Sequence, residues 1–211
     1  MTGATSAMPQ TLFLATPLHD GKVHRAYLKG ALELASSLPP GRLVVSGFTS
    51  QSVFVGRDVL TAHFLRSNAT HLLCVDSDIG WGASDVQKLL LSGKDFVAGN
   101  YARKQQDRAL VCVLRGAHEG PLREAESVGA GFVLLSRTCI ERMIQAHPEL
   151  EYATAHGPVW ALWAPIFDGV PNGEDVSFCK RWRALGERIW VHSEVTLMHF
   201  GETVFLPRGK V

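Results

Sequence analysis

The stretch Leu72–Gly80, L-L-C-V-D-S-D-I-G, constrains this chain more than any other. Its apolar run, Leu72 to Val75, has the length and composition of a buried parallel strand. The run leads directly into two carboxylates, Asp76 and Asp78. Open α/β sheets bind ligands at that end of their strands. Read as extended chain, residues two apart point to the same side, so both carboxylates can face one site. Paired hard oxygens suit Mg²⁺ or Mn²⁺, ions usually shared with a substrate's phosphates. The competing reading is an Asx-turn after the strand, with both aspartates capping backbone N–H groups.

The surrounding pattern predicts an α/β fold. Strands are expected at 11–15, 42–46, 71–75 and 95–98, and helices at 23–36, 55–66 and 84–91, the last capped by Ser84. That alternation implies a mostly parallel, doubly wound sheet. The second half is less regular. Strands are expected at 110–114, 131–135, 188–191 and 195–198, and a capping box, Thr138 to Glu141, opens a helix to Ala146. Residues 152–167, rich in Trp, Pro and Gly, read as loop, and 174–185 as a helix stopped by Gly186. Residues 1–10 read as a disordered tail and 11–211 as a single domain.

At 211 residues the chain can hide roughly 70 % of its unfolded surface. Its net charge of +1 argues against a domain-wide basic surface for nucleic acid. No apolar run is long enough for a membrane span. The N-terminus lacks the basic and apolar regions of a signal peptide. Cys74, Cys112, Cys139 and Cys179 are widely spaced without C-x-x-C, which argues against a zinc site and fits a reduced, cytoplasmic setting.

A second group of motifs lies near the other end. Gly173–Cys179 read G-E-D-V-S-F-C, K-R-W-R-A-L-G-E-R-I-W-V follows, and Thr196–Gly201 read T-L-M-H-F-G. Together with V-D-S-D-I-G-W, this order resembles the GT-A-fold nucleotide-sugar glycosyltransferases of the family-2 type, in particular a small bacterial and phage-like branch. The resemblance runs over roughly Thr11 to Gly201. It implies a GT-A (Rossmann-like) fold with a nucleotide-binding half at 11–100 and an acceptor-binding half at 101–211. It also implies a metal-dependent glycosyltransferase that takes a sugar from a nucleoside-diphosphate donor, a UDP-sugar, with inversion.

On that resemblance Asp78 binds Mn²⁺ (or Mg²⁺), Asp76 contacts the ribose or the metal, and His199 is a further ligand. The metal stabilises charge building on the departing diphosphate. Asp175, beside Glu174, is the general base that takes the acceptor's proton. Thr16 and Pro17 lie by the nucleotide base, Asp20 reaches uracil or ribose, and Arg57 lies near the nucleotide. Gly131, with Gly129 and Ala130, brings backbone against the donor sugar, and Arg103 or Lys104 meets phosphates. Trp160, Trp163, Phe167 and Asp168 lie over the acceptor, which is a glycan or a hydroxymethylated DNA base.

The residues alone leave plainer alternatives open. His199 can be a core histidine, and Glu174 and Asp175 can simply complement a helix dipole. Gly129 to Gly131 can mark close strand packing, and the Trp residues can seal the core. Arg103, Lys104, Arg108, Arg115 and Arg123 form a basic strip, but Asp107, Glu119, Glu124 and Glu126 interleave with it. Two other functions compete. One is a nucleotide-sugar-binding module without turnover. The other is a haloacid-dehalogenase-type phosphatase with Asp76 as nucleophile, although Ile79-Gly80-Trp81 stands where that class normally has Thr.

Overall fold

The computed structural model describes residues 10–201, apart from 106, 108 and 156, and residues 204–206. The expected tail, save Gln10, lies outside the described residues. In the first half, β1 (Leu12–Leu18), α1 (Arg25–Ser37), β2 (Leu43–Thr49), α2 (Val53–Arg66), β3 (His71–Val75), the short β4 (Ile79–Gly80), α3 (Ala83–Leu91) and β5 (Phe96–Asn100) follow in turn. The second half continues with β6 (Val113–Glu119), β7 (Leu122–Ser127), β8 (Phe132–Ser136), α4 (Arg137–Ala146), β9 (Glu151–Thr154), β10 (Gly157–Trp160), α5 (Glu174–Ala184), β11 (Ile189–Thr196), β12 (Met198–Phe200) and β13 (Val204–Phe205).

Eight strands form the central sheet in the order β2-β1-β3-β8-β5-β11-β7-β6. Strands β2, β1, β3, β5, β11 and β6 run one way, and β8 and β7 run against them. Alternation along β1 sends Phe13 and Ala15 to one face and Leu12 and Leu14 to the other. The first face is covered by Phe64 of α2, Met143 of α4 and Phe178 and Trp182 of α5. The second is covered by Tyr27 and Leu34 of α1 and Val86 and Leu89 of α3. The expected α/β fold, a mostly parallel sheet flanked by helices, is therefore the fold observed. No helix among the described residues is long and apolar enough to cross a membrane. All four cysteines are free, and Cys74, Cys139 and Cys179 are buried.

Three local expectations are corrected. The strand expected at 110–114 is instead the exposed edge strand β6, which forms a hairpin with β7. The stretch read as loop at 152–167 contains most of the β9–β10 hairpin. The two last strands expected are largely one, β11, followed by β12. Helix starts also differ. Gly82 caps α3, with its N–H donated to Asp85 Oδ2 at 3.0 Å. Ser136, not Thr138, caps α4 by accepting the Cys139 N–H at 3.0 Å.

One buried acid ties the loop before α5 to α2. Asp58 Oδ1 accepts the Trp163 N–H at 2.9 Å, and Trp163 Nε1 donates to Thr61 Oγ1 at 3.1 Å. Burial pushes the Asp58 pKa up to about 7 against the opposing Trp163 hydrogen bond and Arg181 charge. Native Asp58 thus keeps a proton that the unfolded chain releases near its ordinary value of 3.8. Unfolding releases a proton in that window, so this group's contribution to stability is lost as pH rises from about 4 to about 7. Melting temperatures of the protein and of Asp58→Asn, followed across this range, should diverge in the variant's favour as pH rises. Parallel curves would show that Asp58 is ionised in the native state.

Candidate active site

The chain leaves β3 at Val75, and Asp76-Ser77-Asp78 forms a turn rather than extended strand, closed by the Ile79 N–H on the Asp76 carbonyl at 3.1 Å. The turn, not strand alternation, brings both carboxylates to one cleft. Asp76 is braced from behind. Its N–H reaches the Gly131 carbonyl at 3.0 Å, and Arg57 Nη2 donates to its Oδ1 at 2.6 Å. Arg57, on α2, is only 3 % exposed. Its Nη1 donates to the Ala130 carbonyl at 3.2 Å, and its guanidinium lies over the Trp163 ring, 5.3 Å from the centroid. Its Nε faces Glu174 Oε1 at 3.9 Å and makes no hydrogen bond. Burial by itself lowers an arginine pKa, but the charges of Asp76 and Glu174 beside Arg57 more than reverse this.

The second carboxylate has different partners. Strand β12 pairs antiparallel with β4, placing His199 opposite Ile79, and the Phe200 N–H donates to the Asp78 carbonyl at 2.9 Å. This register sets His199 Nε2 at 3.5 Å from Asp78 Oδ1. His199 Nδ1 lies 2.8 Å from the Ala102 carbonyl. A carbonyl only accepts, so Nδ1 carries a hydrogen; Nε2 either carries a second one, donated to Asp78, or offers its lone pair to a metal. The Tyr101 ring meets the His199 ring edge-on, centroids 5.2 Å apart. Lys104 Nζ forms an ion pair with the other oxygen, Asp78 Oδ2. Burial pushes the Asp78 pKa up, but hydrogen bonds from His199 and Lys104 outweigh it and hold the carboxyl below its usual range.

A carboxylate in the turn before β4 and an imidazole on its neighbour β12 fit a divalent ion. The imidazole favours Mn²⁺ over Mg²⁺. Among the described residues no third His, Cys, Asp or Glu joins them. A metal held there would complete its shell with phosphate oxygens and water, as such ions commonly do.

The cleft itself holds about 320 Å³. It lies where the neighbouring parallel strands β2, β1 and β3 end. Pro17 and Leu18 at the end of β1 and His19 after it line the cleft, with Phe48 of β2, Ser50, Gln51 and Ser52 of the next loop and Val53 at the start of α2. Arg57, Asp76, Ser77, Asp78, Glu174 and His199 complete it. Of the residues singled out in the sequence, Pro17, Arg57, Asp76, Asp78, Glu174 and His199 meet here. The others lie elsewhere. Thr16 is buried with its hydroxyl bonded to that of Tyr27 on α1. Asp20 is exposed and paired with Lys22 at 3.1 Å. Asp175 does not line the cleft, and its Oδ1 accepts the Val176 N–H at 2.7 Å.

Gly131 is also off the cleft wall. A Cβ there would lie 2.5 Å from the Tyr101 hydroxyl and 3.0 Å from Asp76 Oδ2. Its smallness admits Tyr101, whose hydroxyl accepts the Gly131 N–H at 2.8 Å. Trp163 is buried and stacked on Phe178, centroids 3.9 Å apart, whereas Phe167 is 76 % exposed. In the basic strip, Arg115 pairs with Glu124 at 4.0 Å, and Arg108 lies outside the described residues. The sequence reading passed over Tyr101, the Ala102 carbonyl and the Phe48–Val53 wall, which carry no motif.

No protein-family model and no curated protein matches the chain. Solved structures do match over most of its length. The protein A197 from STIV superposes with a TM-score of 0.60 at 19 % identity, over 96 % of this chain and 96 % of that one. UDP-glucose pyrophosphorylase, solved in complex with UDP-glucose, superposes with a TM-score of 0.51 at 10 % identity, over 87 % of this chain and 90 % of its own. At these identities the likeness is one of fold.

Two substitutions test the brace. Arg57→Met removes a charged hydrogen bond to Asp76 and should cost about 1.5–3 kcal/mol in urea unfolding. Gly131→Ala forces a methyl against Tyr101 and should cost about 1–3 kcal/mol. An Arg57→Met protein as stable as the parent would show that the ion pair does not hold the turn.

Proposed function

We propose that the cleft binds a nucleoside-diphosphate sugar and that the protein transfers the sugar to an acceptor hydroxyl. The observation that carries this reading is the convergence, at the ends of parallel strands, of the Arg57-braced Asp76, the Asp78–His199 pair and Glu174. A protein of like fold was solved with UDP-glucose, which supports a UDP-sugar as donor. The resemblance of the sequence motifs supports the same donor class.

In this reading Asp78 and His199 hold Mn²⁺ (or Mg²⁺), which as a Lewis acid stabilises the departing diphosphate. Asp76, fixed by Arg57, faces the ribose. Pro17, Leu18 and Phe48 supply an apolar wall for the base, and Gln51 and Ser52 its polar contacts. The helix dipole at the start of α5 steadies Glu174 and Asp175. Glu174 Oε1 is turned toward the Arg57 guanidinium at 3.9 Å rather than toward an acceptor. Asp175 forms no ion pair among the described residues and is the better general base. A single displacement with that base inverts the anomeric centre. The acceptor is a glycan or a modified DNA base. The Arg115–Glu124 pair in the basic strip favours the glycan.

Paired variants test the reading. Asp175→Asn should reduce turnover of a UDP-sugar with Mn²⁺ by about 10²–10⁴-fold. UDP affinity by calorimetry should stay at the parent's level. Glu174→Gln should lose less turnover. Near-normal turnover in Asp175→Asn would move the base elsewhere, and no turnover of any UDP-, GDP- or CDP-sugar by the parent would favour a binding module.

A further inference from the structure

We propose that Lys104 is a tethered counter-cation of the metal pair: it holds Asp78 in the metal-free protein and yields it to a divalent ion that arrives with a diphosphate. The proposal rests on the reading of Asp78 and His199 as metal ligands. Three features carry it.

First, one carboxylate is divided between two groups. Lys104 Nζ takes Oδ2, and His199 Nε2 faces Oδ1 at 3.5 Å. A divalent ion bound to Oδ1 and the imidazole shares that carboxylate with an ammonium, and the two cations repel.

Second, Lys104 is fixed at its base and free at its head. Its loop is closed by the Arg103 N–H on the Ala109 carbonyl at 2.8 Å and by the Val111 N–H on the Tyr101 carbonyl at 3.2 Å. The Ala102 carbonyl, two residues before Lys104, orients His199. The Lys104 side chain itself is 36 % exposed on a flexible four-carbon stem, so its ammonium can leave Asp78 while the loop stays in place.

Third, Lys104 does not itself line the cleft, but its ammonium is paired with a carboxylate that does. A diphosphate entering beside the metal offers the displaced ammonium a new anionic partner. The same lysine therefore opposes the metal when it comes alone and supports it when it comes with the nucleotide. The loop that sets the His199 tautomer thus also sets the order of binding.

Calorimetric titration of Mn²⁺, without and with saturating UDP, tests this on the parent, Lys104→Gln, Lys104→Arg and Asp78→Asn. Without nucleotide, Lys104→Gln should bind Mn²⁺ about two- to fivefold more tightly, the scale of a part-exposed ion pair. Lys104→Arg should match the parent. With UDP the order should reverse, Lys104→Gln binding Mn²⁺ more weakly than the parent. Unchanged or weaker Mn²⁺ binding by Lys104→Gln without UDP would overturn the counter-cation role while leaving the metal site intact. Parent-like Mn²⁺ binding by Asp78→Asn would instead refute the metal site itself, and the proposal with it.

Discussion

The guanidinium of Arg57 lies where segments far apart in sequence meet, and the cleft depends on its charge being neutralised in place. A cation only 3 % exposed is costly unless it is paired. Asp76 from the β3 turn, Glu174 from the start of α5 and the Ala130 carbonyl before β8 supply the pairing. Each is thereby held at the edge where β2, β1 and β3 end. The Trp163 ring packs over the guanidinium and keeps water from it. Trp163 is fixed in turn by Asp58, the residue after Arg57 on α2. One helix therefore positions the turn, the acidic helix start and the loop between β10 and α5.

The other carboxylate answers to a different part of the molecule. Asp78 is set by β12 lying along β4, and its surroundings come from Tyr101 to Lys104. Asp76 is locked by a buried cation, while Asp78 meets a half-exposed ammonium and an imidazole. The turn thus presents one carboxylate fixed in orientation and one open to exchange. In the proposed reading that division lets the site anchor a ribose on Asp76 and take up a metal on Asp78.

Much of this was legible in the sequence, for identifiable reasons. The β3 run and its two aspartates announce themselves by apolar continuity followed by charge. The continuous apolar run at 12–15 and helical spacing in α1 and α5 reflect burial against a two-faced sheet. Asp76 and Asp78 reach the cleft because they sit just past β3, and Glu174 because it starts α5; Arg57 joins them from the second turn of α2 and His199 from within β12. The β6–β7 hairpin was hidden because β6, V-L-R-G-A-H-E, is exposed along its whole length and shows no period of two. Its signal was Gly120 before Pro121, with Gly120 at φ +56°, as a two-residue hairpin loop with Gly first requires. Tyr101 and the Ala102 carbonyl left no trace, since a backbone carbonyl has no sequence identity and Tyr101 reads as an ordinary aromatic after a strand. Thr16 and Gly131 matched the motif positions, but tertiary contacts with Tyr27 and Tyr101 occupy them.

The most direct test is a crystal structure of the protein with UDP and Mn²⁺, the metal located by its anomalous scattering. The account predicts one strong peak between Asp78 Oδ1 and His199 Nε2, the diphosphate on its far side, and the Lys104 ammonium moved from Asp78 onto a phosphate oxygen. A nucleotide bound away from the cleft, or one bound in it with Lys104 still on Asp78 and no metal present, would contradict it.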